Sequence, residues 1–389
     1  MDHDPTAAGE QRLPIRFIGS GSEYFRIWIV NLLLTLVTLG LYYPFAKVRR
    51  LRYFHGATEV GGHPLSFHAD PWKMLRGYLL VVLMFAAYGG AGYFSPVAGV
   101  LAFCIIAALW PALWHSSLRF RLANTGWRGL RLHFTGTRGG AYRALAPGIV
   151  AAFLVVLAGL LGPTPEAGAA PDVPPPELTL VQWVAVLLPV LMLPATPALL
   201  WLMRRYQQGH LALGAEQTRF DVRLRRFYFV ALKALALLMV FGFVVGLVAA
   251  VVGGGLAAAG EGYGLVKVLF TLVPAMVVLL LLQVVVLPYF VTRLQNLVWN
   301  GTRSRHIGFA STLRVRRMMA LALRNWLLII VTLGLYFPFA AVATARLRLQ
   351  AVALSSELDP DELFSQAERG HESAAGDAAA DIAGIDLGL

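Results

Sequence analysis

The sequence predicts an all-α polytopic membrane protein. It has six full transmembrane helices, two re-entrant helical hairpins, and internal repeats with short cytosolic β-hairpins. Three observations carry this. The 389-residue chain is 58% hydrophobic and 14% charged, where soluble domains average about 25% charged. Several apolar runs exceed the roughly 20 residues that cross a bilayer core, and they are continuous rather than alternating, so they are helices and not barrel strands. The frame TLGLY-x-PFA occurs twice, at 38–46 and 332–340, each time after an Asn in an apolar run and before arginines, which marks an internal duplication.

The elements follow in chain order. Residues 1–12 carry acids and no apolar core, unlike a cleaved leader, so the first membrane segment is expected to be retained. Pro14–Gly19 reads as a short strand, followed by a helix from about Glu23. Full spans are predicted at 73–92, 96–114, 144–162, 180–203, 227–252 and 264–291. Lysines and arginines cluster in four segments, Lys47–Arg76, Arg119–Arg143, Arg204–Lys233 and Arg293–Arg324, and the positive-inside rule puts all four in the cytosol. The linker PTPEAGAAPDVPPPELT at 163–179 is Pro-rich and acidic and should be extended.

The four basic segments resemble one another. Each opens at a proline (Pro44, Pro111, Pro197, Pro288), passes a Gly or Asn turn, and closes on a strand-like run with a phenylalanine (Phe67, Phe134, Phe220, Phe309). The proline-to-phenylalanine spacing is 23 residues in the first three and 21 in the fourth. Gly and Asn supply the positive φ of a tight hairpin. Phe17 matches these cytosolic phenylalanines, and Pro44 opens a cytosolic segment, so both ends of 24–46 lie on one side. A re-entrant hairpin turning near Thr38-Leu39-Gly40 satisfies this, and 324–343 turns likewise near Thr332-Leu333-Gly334. The alternative is eight straight spans, with the two copies antiparallel in opposite halves of the lipid.

The domain reading is a repeat-built membrane domain over 1–353 and an acidic tail over 354–389. Nine acids stand against Arg369 from Glu357 onward. Few large apolar groups occur there, so the tail is expected to be disordered and is a candidate for binding a protein partner. The formal charge of +12 fits basic cytosolic loops at a lipid surface rather than nucleic-acid binding.

The string from Phe17 to Phe54, with Asn31, Thr38-Leu39-Gly40, Tyr42, Pro44, Ala46 and the arginines after it, resembles the opening of the YjgN family of bacterial inner-membrane proteins. The resemblance covers Leu13 to about Ala353, and the second copy, Asn325–Arg348, fits it too. It implies a multi-pass protein of the bacterial inner membrane and carries over no catalytic residue. Phe45 and Phe339 stand where the family often has Trp. Ala341 and Thr344 replace the Lys47 and Arg50 of the first copy, so the two ends are not equivalent at the membrane surface.

The candidate functional residues are polar or turn-forming groups in the two hairpins and cations at their bases. The first set is Asn31, Thr38, Gly40, Pro44, Asn325, Thr332, Gly334 and Pro338. An unpaired buried amide costs on the order of 2–7 kcal/mol, so each Asn either cross-links its hairpin or faces a solute. The second set, Lys47, Arg49, Arg50, Arg52, Arg314, Arg316 and Arg317, suits anionic lipid headgroups. No acid lies in the six spans, which argues against coupled transport. No phosphate loop, zinc-helix or nucleophile-elbow motif occurs. Neither an enzyme nor a bound metal or cofactor is expected. Two functions remain: a structural or regulatory protein that binds lipid or a partner, and a passive channel or facilitator for a neutral or lipidic solute.

Overall fold

The computed structural model describes residues 11–161, 179–214, 216–258, 264–357 and 365. The Pro-rich linker before Thr179 and the tail after Glu357, Ser365 apart, lie outside them. The elements run β1 (Gln11–Phe17), α1 (Gly21–Val37), α2 (Tyr43–Gly56), β2 (Thr58–Val60), β3 (His63–Phe67), α3 (Pro71–Phe94), α4 (Pro96–Ala123), β4 (Thr125–Trp127), β5 (Leu130–Phe134) and α5 (Arg138–Leu161). They continue α6 (Leu180–Met192), α7 (Thr196–Gln208), β6 (Leu211–Leu213), β7 (Glu216–Gln217), β8 (Arg219–Phe220), α8 (Leu224–Ala258), α9 (Gly264–Leu281) and α10 (Leu287–Trp299). Last come β9 (Thr302–Arg303), β10 (Ile307–Ser311), α11 (Val315–Val331), α12 (Phe337–Leu349) and β11 (Val352–Ser356).

Among the described residues five stretches are long and apolar enough to cross a membrane: Pro71–Phe94, Pro96–Ala123, Arg138–Leu157, Leu224–Val251 and Leu272–Trp299. The last is continuous because a π-helical turn, Leu282–Val286, joins α9 to α10. Pro288 follows directly, and the wider turn accommodates the hydrogen bond that proline cannot make. The stretch 180–203 is not one helix. A 3-10 turn at Leu193–Ala195 separates α6 from α7, where Pro194 and Pro197 each remove a backbone donor.

The repeat is stricter than the sequence reading allowed. Counted from Pro44, Pro111, Pro197, Pro288 and Pro338, the first strand begins 14 residues on, at Thr58, Thr125, Leu211, Thr302 and Val352. In the first four repeats the next long helix begins at position 27, at Pro71, Arg138, Leu224 and Val315. The residue ending the second strand is then always 23 after the proline. In the fourth repeat it is Ser311, not Phe309 as the spacing of 21 suggested. Ser311 is buried, and a polar network replaces the aromatic ring: its hydroxyl donates to Asn296 Oδ1 at 2.7 Å, and its N–H donates to Asn300 Oδ1.

The fifth repeat, from Pro338, has its second strand at the other end of the chain. β11 pairs antiparallel with β1, Gln11↔Ser356 through Pro14↔Ala353. Arg346, eight residues after Pro338, donates to Gly19 O at 2.7 Å. In the first repeat Arg52, eight after Pro44, donates to Ala69 O at 2.9 Å. Gly19 and Ala69 each lie two residues past a strand-ending phenylalanine, Phe17 and Phe67. The N-terminal strand therefore completes the C-terminal repeat.

The chain forms two compact units. One contains β1, the start of α1, β2 and the described residues from Phe220 on; the other contains Asn31–His55 and Ser66–Arg219. In the first unit the strand order is β2-β1-β11-β10-β9, all antiparallel. In the second, β4-β5-β6-β7 is also antiparallel, with Leu132↔Leu213 joining one repeat to the next. The hairpins are thus not the isolated pairs that the sequence suggested. Hairpins of two to five residues per strand are marginal alone, and adding each to its neighbour satisfies otherwise bare edges.

Candidate functional site

The two TLG segments fold as matched helical hairpins. α1 ends at Val37 and α2 starts at Tyr43, while α11 ends at Val331 and α12 starts at Phe337. Leu39 and Gly40 have φ of 49° and 93°, and Leu333 and Gly334 have 51° and 92°. This is a left-handed helix stop: Gly40 N–H reaches back to Thr35 O and Gly334 N–H to Ile329 O, both at 2.7 Å. Thr38 and Thr332 bridge the turn. Each hydroxyl donates to the carbonyl four residues back (Leu34, Leu328) and accepts from the N–H four residues on (Tyr42, Tyr336). Pro44 and Pro338 are fully buried at the start of the return arms.

Asn31 and Asn325 are buried and bind across their own hairpins. Asn31 Nδ2 lies 3.5 Å from Ala46 O. Asn325 Nδ2 lies 3.5 Å from Ala340 O and 3.3 Å from Thr344 Oγ1. Both Oδ1 atoms are buried without a partner. At the tips, Leu39 and Leu333 are 95% and 94% exposed.

The predicted cations separate into distinct settings. Arg49 and Arg50 are exposed, as are Arg314, Arg316 and Arg317 at the start of α11. Arg52 is tied to Ala69 O. Lys47 differs from all of these. It lines a cavity of about 280 Å³ with Tyr43, Tyr78, Trp110, Trp114 and Met74. No acid lines this cavity. Burial, and next the Arg121 guanidinium, hold the Lys47 ammonium below the usual lysine value.

A second, wholly apolar trough of about 470 Å³ shares Trp110 with this cavity and continues along Phe85, Tyr88, Phe103, Leu145 and Leu199. A half-buried cation at one end and an apolar channel beyond it is a shape that suits an anionic amphiphile. Sequence reading missed the walls. Their signal was helical spacing: Met74, Tyr78 and Val81 share a face of α3, and Trp110, Leu113, Trp114 and Ser117 share a face of α4.

His115, read from the sequence as an interface residue without ligand partners, is buried. Its Nδ1 is 2.8 Å from Tyr206 Oη, which donates to Thr137 O at 2.9 Å. Trp114 and Phe134 pack on the Tyr206 ring, and burial pushes the phenol up to about 12. This cluster is a core. Among the described residues no group of three or more His, Cys, Asp or Glu could hold a metal.

Apolar helices of membrane length, basic segments at their ends and paired polar hairpins define a helical integral membrane protein. The chain belongs to the family described as "Bacterial protein of unknown function (DUF898)", whose model matches residues 12–382. It is similar to the "Inner membrane protein YjgN" of Escherichia coli (strain K12), 30% identical over 119 residues, and to that of Salmonella typhimurium (strain LT2), 29% identical over 119 residues. Each match covers 30% of this chain and 30% of the relative. No solved structure matches the chain. The protein is accordingly an inner-membrane protein.

Proposed function

We propose that this is a structural or regulatory membrane protein that holds an anionic lipid of the cytosolic leaflet, with Lys47 on the headgroup and the trough beyond Trp110 on an acyl chain. The observation that carries the reading is the half-buried, acid-free setting of Lys47 among aromatic walls. An ammonium in such a setting gains from an incoming anion, because the anion offsets part of its desolvation. Trp110 and Trp114 suit the headgroup level of the bilayer. The proposed role is binding rather than catalysis. Both asparagines face their own return arms, which favours packing over lining a solute path.

The same reading takes six spans, with α6 and α7 together as a broken sixth, and two re-entrant hairpins. Lys47 lies eight residues past the tip at Leu39, about 12 Å of helix. Arg324 and Arg346 lie nine and thirteen residues from Leu333, about 14 and 20 Å. These arms are shorter than the roughly 30 Å core, so the exposed leucine tips reach into the bilayer and turn back.

The test is Lys47→Gln in the full chain, purified with and without added phosphatidylglycerol. The wild type should be stabilised by phosphatidylglycerol over phosphatidylcholine, and the variant should lose most of that preference. An equal preference in the folded variant would refute the site. Paired fluorescent and phosphatase fusions at the C-terminus should report a cytosolic end; a periplasmic end would require straight spans instead.

A further inference from the structure

The duplicated hairpins have diverged in charge, and the second has a groove of its own. About 520 Å³ lies between α11 and α12, lined by Arg317 and Arg324 from one helix and Arg346 and Gln350 from the other. Arg317 and Arg324 are seven residues apart, two turns along one face. Leu321 and Leu347 also line the groove, with Ala320 and Ala343. No acid lines it. Three guanidiniums converging without a counter-charge repel one another, and a bound anion relieves that cost. Arg346 is already oriented by its bond to Gly19 O, and a guanidinium has five donors, so others remain for a ligand.

The first hairpin serves as an internal control. The two copies align with Asn31 on Asn325, which sets Glu23 against Arg317, Val30 against Arg324 and Arg52 against Arg346. It also sets Arg26 and Arg49 against Ala320 and Ala343. The second copy therefore has two arginines where the first has an acid and a valine, and alanines where the first has long cations. Both changes open and charge the same groove, while the bridging Asn, Thr, Gly and Pro residues are unchanged.

We infer that this groove binds the phosphodiester of an anionic lipid headgroup. Guanidinium forks match phosphate oxygens in pairs. The groove also lies on a hairpin whose exposed face runs through Leu327, Ile330 and Val331 to Leu333. That apolar face gives acyl chains a place beside the phosphate, which a soluble anion would not use. The site is built from α11 and α12 alone and does not rest on the Lys47 cavity.

The experiment inserts the first copy's residues into the second, as Arg317→Glu with Arg324→Val in the full chain. Because the duplicated hairpin already folds with those residues, the variant is expected to fold. A single Arg324→Gln variant tests the same point should it not. Binding is read as phosphatidylglycerol retained on the purified protein, with phosphatidylcholine and inorganic phosphate as competitors and Lys47→Gln as control. At about fivefold per basic residue at a surface, losing two arginines should weaken phosphatidylglycerol binding at this site by at least about 25-fold. Lys47→Gln should leave it unchanged. Equal binding by the folded double variant would overturn the site. Displacement by inorganic phosphate at concentrations comparable to the lipid would overturn the lipid assignment in favour of a free anion.

Discussion

Replacing Asn325 by leucine separates a packing asparagine from a ligand-binding one. The side chain is 6% exposed. It spends its amide on two long bonds, 3.5 Å to Ala340 O and 3.3 Å to Thr344 Oγ1, and leaves Oδ1 buried without a partner. Side-chain bonds between membrane helices average about 0.6 kcal/mol, so the substitution forfeits roughly 1 kcal/mol. It also removes an orphaned acceptor, whose desolvation costs about 1–3 kcal/mol. Leucine is close in size, so packing changes little. The expected outcome is a variant between unchanged and about 2 kcal/mol more stable. Asn31→Leu should shift further in the same direction, because Asn31 makes only one such bond across its hairpin. Asn325→Asp, which places a charge in the same spot, should be destabilised by several kcal/mol. Unfolding of the purified protein by dodecyl sulfate in mixed micelles measures all three. A loss above about 2 kcal/mol in Asn325→Leu would refute the reasoning. It would mean that Oδ1 holds a water or a solute, and the channel reading would gain ground.

Two further outcomes rest on the same coordinates. Gly334→Ala meets nothing within 4 Å of the new Cβ, so its cost is the left-handed backbone alone, about 1–2 kcal/mol. Gly40→Ala should cost the same or slightly more, since Tyr78 Oη lies 3.4 Å from its Cβ; the micelle assay reads both. His55 lies against Phe67, and burial holds its imidazole below 6.5 against a smaller opposing effect of Leu51 O. The unfolded chain therefore binds the proton first, and stability falls as pH drops through 6.5 toward the folded value. His55→Gln should flatten that part of the melting profile between pH 7.5 and 5.5, and an unchanged slope would assign it elsewhere.

Much of the architecture was legible from local signals. The TLG turns were, because Gly40 and Gly334 announce a positive φ and the copies confirm each other. The four prolines marked the repeat because each begins a helix segment of fixed length. Phe309 misled because it is an aromatic two residues before the strand end, and the polar network that lets Ser311 take that place requires Asn296 and Asn300, which only the fold brings to it. The fifth repeat was hidden for a different reason. Its two strands are at opposite ends of the chain, so no window of sequence contains both. The Lys47 cavity was half visible: the cation stood out, whereas Tyr78 and Trp110 looked like ordinary span residues until three helices met.

The pairing of β1 with β11 has a consequence for synthesis. The strand that leaves the ribosome first waits for the one made 345 residues later, roughly 20–70 s at about 5–20 residues per second. For that interval one edge of β1 is open, and open edges recruit the wrong neighbours. The waiting strand carries Pro14, which offers no backbone donor, between Arg12 and Arg16. Those are the residue types that discourage edge-to-edge pairing, so the nascent chain keeps its first strand available for its last.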